Sequence, residues 1–347
     1  MRFYTESHQY YCGIDLHARN LYLCLINQEG QKMLHKRLPN CRERLLAAVE
    51  PYRSSMVVSV ESTYNWYWLA DLCTKEEIPF VLGHALYMKA ILEGKSKNDR
   101  IDSEKIARMT AGKMLPQSYV YPQEMRKTRD LLRRRLYFVR QRAAAKGHIE
   151  IVNSQYNLPA LNGAANYKNK RDGIIEHFPA GDLQCSIAAD LATIEHFDRL
   201  IPDLEKHLVG RAKVHDHGSF ELLQTINGVG RILALTFLYE IHNIVRFGKA
   251  QQFCSYARLT KAQKTSSGKT TGKGGRKIGN PYLKWAFSEA TVGLIERHPA
   301  VKIYFEQRKN RLGKAAAYAR LSHKLGRCIF HMLKTGDKFD VEKFLKF

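Results

Sequence analysis

Residues 11–25 of the 347-residue chain read YCGIDLHARNLYLCL, two short apolar runs on either side of a polar turn. This order of an apolar run, a tight polar turn and a second apolar run predicts a β-hairpin. The first predicted strand ends at one carboxylate, Asp15, and the turn runs from His17 to Asn20. A carboxylate at the end of a strand is either a chance surface acid or a ligand. Asp15 alone does not separate these interpretations, and the other acids of the N-terminal part must do so.

The length and composition indicate a folded protein with more than one domain. A chain of 347 residues corresponds to two or three domains. Its 44% of hydrophobic residues can bury a sizeable core. No apolar run reaches the roughly 18 residues of a membrane helix, and the first residues, MRFYTESHQY, lack the pattern of a signal peptide. We therefore expect a cytoplasmic protein with no membrane partner.

The chain is strongly basic, since 56 Lys and Arg residues against 33 Asp and Glu residues give a formal net charge of +23. A positive field of this size attracts polyanions, and nucleic acid is the expected partner. The alternative is a soluble basic surface without such a partner. Seven cysteines are scattered without a CxxC pair, which argues against a zinc site or a disulfide framework. The pair His215 and His217 has no second ligand pair at zinc spacing, and we expect it in a solvated loop.

The N-terminal part, residues 1–118, shows the alternation of a layered α/β domain. After the hairpin, residues 42–52 predict a helix. The β-branched run 56–60 predicts a strand that ends at Glu61, and residues 78–82 predict another strand. Strands separated by helices are typical of a sheet covered by helices.

Four acids in this part occupy positions that suit a metal site. Asp15 and Glu61 each end a predicted strand, while Asp99 and Asp102 share one face of a predicted helix. Taken singly, a strand-end acid is usually a surface residue, and acids in a first helical turn complement the helix dipole. Clustered carboxylates, however, need a cation, and hard oxygen ligands suit Mg²⁺ or Mn²⁺. Two such ions about 4 Å apart would activate a nucleophile and stabilise a leaving oxygen in phosphodiester chemistry.

The middle part, residues 119–215, begins with a long predicted helix at 123–152. From Arg126 to Lys146 this helix carries nine Lys or Arg residues against one acid. Such a helix can present charge to a phosphate backbone, and an ordinary solvated face is the alternative. The candidate nucleic-acid contacts on this helix are Arg126, Arg129, Arg133 and Arg134.

A second long amphipathic helix is predicted at residues 183–208, after a polar, turn-rich linker at 153–180. The two long helices pair either with each other, as an antiparallel pair, or with another subunit, as a coiled coil. The sequence leaves both arrangements open.

Residues 216–347 form the predicted C-terminal domain. Residues 221–241, ELLQTINGVGRILALTFLYEI, predict two helices joined by a tight turn at 227–230. This spacing is typical of helix–hairpin–helix modules, whose turn offers N–H groups to a phosphate. A plain helix-pair turn with glycine for positive φ is the alternative. Residues 282–295 and 315–333 predict further helices.

A basic, glycine-rich segment lies between these helices at residues 261–279. It contains six basic residues, five glycines and no acid, which predicts a flexible loop that follows a phosphate backbone closely. Ser266 and Ser267 lie among these charges, and a serine in a cationic site can attack phosphorus; ordinary linker serines are the alternative. The candidate contacts of this segment are Lys264, Lys269, Lys273, Arg276 and Lys277.

Several short motifs follow one another in a characteristic order. They are GIDLH at 13–17, VEST at 60–63, KNDRIDSEKIA at 97–107, INGVG at 226–230, YEIHNIVRF at 239–247, SSGK at 266–269 and GNPYLKW at 279–285. With these motifs the chain resembles the DEDD transposases of the insertion-sequence-110 family, relatives of the Piv-type DNA invertases. The resemblance covers nearly the whole chain, and its acidic and serine segments are specific in combination.

The resemblance implies an α/β plus α protein. Its parts would be an RuvC-like, RNase H-type domain at 1–118, a basic helical coiled-coil region at 119–215 and a mostly α-helical transposase domain at 216–347. It implies that Mg²⁺ or Mn²⁺ is bound by four carboxylates, those of Asp15, Glu61, Asp99 and Asp102. It also implies that Ser267, with Ser266 as the alternative, attacks DNA and forms a covalent phosphoserine link.

The partners implied by the resemblance are donor and target DNA, a structured bridge RNA that sets sequence specificity, and further copies of the chain, as dimers that assemble into a tetramer at the bacterial nucleoid. Two departures affect loop geometry: Asn227 stands where the family usually has Pro, and residues 257–261, ARLTK, replace the usual Gly-Leu-x-Pro. Two other functions remain open, an RuvC-like structure-selective nuclease that uses water and a non-catalytic nucleic-acid-binding protein.

Overall fold

The computed structural model describes residues 2–91, 98–260, 262–266, 269–274 and 278–346. For residues 262–266 and 269–274 it describes the backbone, and for the other ranges it describes the side chains as well. The chain divides into two compact units, one ending at Glu124 and one beginning at Met125. The division into three domains at 118 and 215 stays a prediction. None of the helices in the described ranges has the length and apolar character that crossing a membrane requires.

A five-stranded mixed sheet organises the first unit, in the order β3-β2-β1-β4-β5. Its strands are β1 (Tyr10–Leu16), β2 (Asn20–Asn27), β3 (Lys32–Pro39), β4 (Met56–Glu61) and β5 (Phe80–Gly83). The predicted hairpin is confirmed, because β1 and β2 pair antiparallel, whereas β4 runs parallel to β1 and β5. The sequence analysis missed β3, an edge strand whose exposed charged residues hide the strand pattern.

Helices cover both faces of this sheet. They are α1 (Arg42–Val49), α2 (Tyr67–Lys75), α3 (Ala85–Ile91) and α4 (Asp99–Ala111). Leu69 of α2 joins Ile14 in the core on one face, and Ile106 of α4 joins Val57 in the core on the other. The expected layered α/β architecture is confirmed, and it fits an RuvC-like domain.

The second unit is mostly helical. Its helices are α5 (Gln123–Gln155), α6 (Asp182–Gln224), α7 (Arg231–Ile241), α8 (Ala250–Tyr256), α9 (Pro281–Arg297), α10 (Pro299–Leu312), α11 (Lys314–Thr335) and α12 (Val341–Lys346). Their main core contains a chain of ring contacts that joins α7, α8, α9 and α11 through Phe237, Phe287, Phe253 and Phe330.

The long helices α5 and α6 pack against each other in an antiparallel arrangement. Two ion pairs join them, Arg135 with Glu205 and Arg142 with Asp198, and His148 Nδ1 lies 2.5 Å from Asp190 Oδ2. The partner's number falls along α6 as the number rises along α5, which defines the antiparallel direction. The first of the two arrangements expected from the sequence is therefore present within one chain.

Helix α6 extends past its predicted end at residue 208, so His215 and His217 lie in a helix. The prediction of a solvated loop for this pair was wrong. The backbone departs from helical geometry at Asp216, with φ −163° and ψ 81°, and the helix then continues. His215 Nδ1 lies 2.9 Å from the Tyr239 hydroxyl of α7, which holds this bend against the core of the unit.

The segment predicted as a flexible loop contains two strands, β6 (Ala262–Ser266) and β7 (Lys269–Gly274), which pair antiparallel. The loop prediction was wrong for these residues. The threonines at 265, 270 and 271 favour extended backbone, and the glycine content of the segment concealed this preference.

Candidate functional site

The position of α4 on the sheet depends on Gly13. A Cβ atom at this position would lie 2.2 Å from the Ser103 carbonyl oxygen and 2.3 Å from the Ala107 backbone nitrogen. Only glycine therefore allows this close approach between β1 and α4. The hydroxyl of Thr110 donates a hydrogen bond of 2.9 Å to that of buried Ser59 in β4. These contacts bring the first turn of α4 to the ends of the two central strands.

The four predicted carboxylates are supplied by three neighbouring elements. The parallel register pairs Ile14 with Val60, so Asp15 and Glu61 follow one residue later on adjacent strands and share a sheet face. Asp99 and Asp102 lie in the first turn of α4, which is capped by Asn98 through a hydrogen bond from the Arg100 backbone nitrogen.

His17 joins the carboxylates, and the sequence analysis did not select it as a site residue. Its Nε2 atom lies 3.2 Å from Asp15 Oδ2 and 3.2 Å from Asp99 Oδ1. One ligand atom from each of these three residues lies within 4.8 Å of the other two. The signal available in the sequence was the GIDLH motif, which places an imidazole two residues after the strand-end acid.

The turn that carries His17 is fixed by two asparagine side chains. Asn40 donates a hydrogen bond of 2.7 Å to the His17 carbonyl oxygen. Asn65 donates to the carbonyl oxygens of His17 and Leu16, at 2.7 and 3.3 Å. The backbone at the end of β1 is therefore held on both sides, which fixes the position from which His17 reaches the acids.

The electrostatics of this group favour a bound cation. Partial burial raises the pKa of Asp15, and Asp99 and Asp102 raise it further, while His17 acts in the opposite direction. Lys105 Nζ lies 3.4 Å from Asp102 Oδ1 and offsets part of the negative charge. Carboxylate oxygens with one imidazole form a donor set that fits a divalent metal ion. A cation here would counteract both the burial and the repulsion from Asp99 and Asp102 that raise the pKa of Asp15.

The four arginines selected on α5 have different environments. Arg126 is buried, and the Arg129 guanidinium lies 3.7 Å from Asp130. Arg133 forms an ion pair with Glu240. Arg134 is exposed and its guanidinium lies over the rings of Tyr137 and Phe138. The structure therefore presents Arg134 at the surface and turns Arg126 and Arg133 toward the protein.

Glu240 is a buried acid at the centre of a network that joins α5, α7 and α9. It accepts two hydrogen bonds of 2.7 Å from Arg133 and one of 2.7 Å from Asn280 Nδ2. Burial disfavours the charge of Arg133, but Glu240 outweighs this effect and raises the pKa of the guanidinium. The sequence analysis quoted Glu240 and Asn280 only as letters of motifs and did not identify their contact.

The glycine-rich turn between α6 and α7 packs against α9. Gly228 has φ +93°, and a Cβ atom there would lie 2.3 Å from the Gly293 carbonyl carbon. Ile226 and Val229 are buried in the core. The helix-pair turn predicted from the sequence is therefore confirmed, and its glycine serves a close packing contact. Binding of a phosphate by this turn stays a prediction.

Ser267 lies outside the described residues, as do Arg276 and Lys277. The backbones of Ser266, Lys264, Lys269 and Lys273 belong to β6 and β7. The residues that follow this segment are anchored, because the Asn280 backbone nitrogen donates to the Tyr256 carbonyl oxygen at 2.6 Å. Arg258 Nε also donates to the carbonyl oxygens of Ile278 and Gly279, both at 2.9 Å.

Two family models match the chain. One, for DEDD transposases of the IS110 type and described as a transposase, matches residues 12–157, which include the four carboxylates. The other, described as the transposase IS116/IS110/IS902 family, matches residues 220–306. Among curated proteins, the chain is similar to the transposase for insertion sequence element IS1111A of Coxiella burnetii (strain RSA 493 / Nine Mile phase I). The two are 24% identical over 297 residues, which cover 82% of this chain and 78% of that relative.

Proposed function

Because this chain belongs to the IS110 family of DEDD transposases, we propose that it is an RNA-guided DNA recombinase that cuts and rejoins DNA strands through a serine. The observation that supports this most directly is the convergence of Asp15, Asp99 and His17 at the end of β1, beside the strand that ends in Glu61. A site with these donors suits phosphodiester chemistry.

The residues that would hold the cofactor are Asp15, Glu61, Asp99 and Asp102, and His17 offers a further ligand. Mg²⁺ or Mn²⁺ bound there would neutralise charge on the scissile phosphate and on the leaving 3′ oxygen. The protein fixes the geometry of this site, since Gly13 sets the distance between sheet and helix and the two asparagines hold the turn. We propose that the scissile phosphate binds at the ends of β1 and β4, beside these acids.

The nucleophile in this proposal is Ser267, with Ser266 as the alternative. The serine oxygen forms a bond to phosphorus while the bond from phosphorus to the 3′ oxygen breaks, and the serine proton is transferred to the 3′ oxygen. The free 3′ hydroxyl of another strand then attacks the phosphoserine, forms the new phosphodiester and returns the proton to serine. The energy of the bond is kept in the ester, so no high-energy cofactor is needed.

Basic residues would position the DNA during these steps. On α5, Arg134 is the best candidate for a DNA contact because its side chain is exposed. The segment around the serine supplies Lys264, Lys269, Lys273, Arg276 and Lys277. Cationic groups stabilise the charge that develops on phosphorus. A bridge RNA that pairs with donor and target DNA would supply sequence specificity, while the protein reads backbone and shape. Dimers would assemble into a tetramer that holds both DNAs.

The proposal is tested by a search for a covalent protein–DNA adduct. Purified protein with its co-purifying RNA is incubated with Mg²⁺ and DNA that carries matching donor and target sites, and the mixture is resolved under denaturing conditions. We expect an adduct that is absent from Ser267→Ala and from Asp15→Ala and retained in Ser266→Ala.

The other outcomes are equally specific. DNA cleavage without an adduct, unchanged by Ser267→Ala, would show a metal-dependent nuclease that uses water. DNA binding without cleavage or adduct, unchanged by Asp15→Ala, would show a non-catalytic binding protein. An adduct lost only in Ser266→Ala would move the nucleophile by one residue.

A further inference from the structure

Tyr22 and Arg37 lie in one row across the sheet with Asp15. The register pairs Asp15 of β1 with Tyr22 of β2, and Tyr22 with Arg37 of β3. Residues paired on neighbouring strands point to the same face of a sheet. Since strands lie about 4.8 Å apart, the backbone of Arg37 is about 10 Å from that of Asp15. The carboxylate face therefore continues through a tyrosine to an arginine at the sheet edge.

Helix α4 covers the next row on this face and leaves the row of Tyr22 and Arg37 open. In the covered row, Gly13 contacts α4, Cys24 is buried and His35 Nε2 lies 3.0 Å from the Arg100 carbonyl oxygen. Beyond the first turn of the helix there is a cavity of about 70 Å³, lined by His17, Asn20, Leu21, Tyr22, Arg37 and Asp99. The open row is thus continuous with the candidate catalytic site.

Arg37 has the properties of an anion-binding side chain. It is exposed, and among the described residues the structure gives its guanidinium no acidic partner although Asp99 lines the same cavity. A guanidinium matches the geometry of a phosphate and binds it through paired hydrogen bonds. Tyr22 is partly buried, and its ring meets that of His35 edge-on at 5.4 Å between centroids, which fixes its orientation.

We propose that Tyr22 and Arg37 form a subsite for the DNA strand that is cut. Arg37 binds a phosphate neighbouring the one held at the carboxylates, and the Tyr22 ring contacts the adjoining sugar or base. The subsite defines the path of the bound strand over the sheet, which runs from Asp15 across β2 to the edge strand β3. The identity of the strand as the one being cut rests on the proposed function; the binding of DNA at this face does not.

The test is photocrosslinking from a position beside the cavity. Ala18 is exposed in the turn next to His17 and accepts p-benzoylphenylalanine. Full-length protein with its co-purifying RNA is mixed with a short random-sequence DNA duplex, with Ca²⁺ in place of Mg²⁺. The DNA concentration is kept below the value that gives half-maximal crosslinking, so that the crosslink yield is proportional to the affinity of the site near the turn.

Lys36 provides a matched control. It lies next to Arg37 on the same exposed strand and carries the same charge, but it pairs with Leu23 and faces the opposite side of the sheet. We expect Arg37→Ala to lower the crosslink yield about tenfold and Arg37→Lys to lower it less, because the paired hydrogen bonds are lost but the charge is kept. Lys36→Ala should change the yield by less than about twofold, and the thermal midpoints of all three variants should match the parent.

Equal yields from Arg37→Ala and Lys36→Ala would overturn the subsite. Preferential crosslinking to an RNA of the same sequence would overturn its assignment to DNA. These results are independent of the serine mechanism, because crosslinking in Ca²⁺ requires no cleavage. An Arg37-dependent crosslink without a phosphoserine adduct would support the subsite and contradict the serine mechanism. An adduct that forms without such a crosslink would support the serine mechanism and contradict the subsite.

Discussion

Arg133 and Glu240 are 107 residues apart in the chain, and two hydrogen bonds of 2.7 Å join the guanidinium to the carboxylate. The same carboxylate accepts a hydrogen bond of 2.7 Å from Asn280, which caps α9 by accepting from the backbone nitrogens of Tyr282 and Leu283. One buried acid therefore ties the long basic helix α5 to the residues that directly follow the segment of the candidate serine.

We expect Arg133→Ala to lower the free energy of unfolding by about 3–5 kcal/mol, because it leaves the buried Glu240 carboxylate without its counter-charge. The neighbouring Arg134→Ala should cost less than about 1 kcal/mol, since Arg134 is exposed. Urea unfolding followed by circular dichroism measures both. Equal losses in the two variants would contradict the structural role of Arg133.

The same two variants separate structure from nucleic-acid binding. Arg134→Ala should weaken binding of a DNA duplex and reduce the dependence of the affinity on salt, because one phosphate contact is lost. Arg133→Ala, measured under conditions in which it is folded, should bind that duplex with an affinity within about twofold of the parent. A larger loss of affinity in Arg133→Ala than in Arg134→Ala would reverse the assignment.

A second prediction concerns Gly13. Gly13→Ala should lower the free energy of unfolding by about 3 kcal/mol, because the added methyl group meets the backbone of Ser103 and Ala107 at less than 3 Å. Displacement of α4 would also move Asp99 and Asp102 away from Asp15 and weaken metal binding. Thermal unfolding and a Mg²⁺ titration test both effects.

Gly147 is the control glycine. It lies inside α5, and a Cβ atom there would meet nothing within 4 Å. Gly147→Ala should raise the free energy of unfolding by about 0.5–1 kcal/mol through its helix propensity. A comparable loss of stability in both variants would show that the close contact between Gly13 and α4 is not the reason that alanine destabilises the protein at this position.

Part of this fold follows from local pattern alone. The hairpin from Tyr10 to Asn27 and the strand that ends at Glu61 are predicted because their apolar runs are buried in the sheet. The edge strand β3 is missed because Lys32, Lys36 and Arg37 are exposed and interrupt the apolar pattern. Helix α10 is missed for a related reason, since its run QRKNRL contains few apolar residues.

The candidate site was predictable only in part, because its contacts are long-range. The four carboxylates stand out because they fall at the ends of predicted strands and on one face of a predicted helix. The sign of the charge on α5, however, does not separate Arg133, which turns inward to an acid far along the chain, from Arg134, which faces solvent. In the same way, the position of His17 two residues after a strand-end acid does not reveal that its side chain reaches Asp99.

A third prediction follows from the raised pKa of Asp15. A raised pKa means that the metal-free fold binds the Asp15 proton more tightly than the unfolded chain does. The neutral carboxyl therefore contributes its full stabilisation below the unfolded pKa of about 3.9, and this contribution is lost as pH rises through the higher pKa of the folded state. Asp15→Asn should therefore raise the thermal midpoint of the metal-free protein at neutral pH. It should also abolish the increase that Mg²⁺ produces in the parent.

Glu104, which lies on α4, has a pKa shift of the opposite sign. Burial opposes its ionisation, but Lys32 and Arg108 outweigh burial and lower its pKa. Glu104→Gln should lower the free energy of unfolding of the metal-free protein by less than about 1 kcal/mol, and so lower its thermal midpoint slightly. It should keep the response of the midpoint to Mg²⁺. Both variants are compared in EDTA and in Mg²⁺. A lower thermal midpoint of Asp15→Asn without metal would contradict the raised pKa of Asp15.

The last prediction concerns the ligand role of His17, whose Nε2 atom lies 3.2 Å from oxygen atoms of both Asp15 and Asp99. Imidazole binds Co²⁺ better than Mg²⁺, which prefers oxygen ligands. His17→Ala should weaken Co²⁺ binding about tenfold and Mg²⁺ binding by less than about threefold, as measured by calorimetric titration, and should change the visible absorption of the bound Co²⁺. His8→Ala, whose imidazole contacts Tyr4 instead, should leave both affinities unchanged. Equal losses for the two metals in His17→Ala would show that His17 only hydrogen-bonds to the acids and does not ligate the cation.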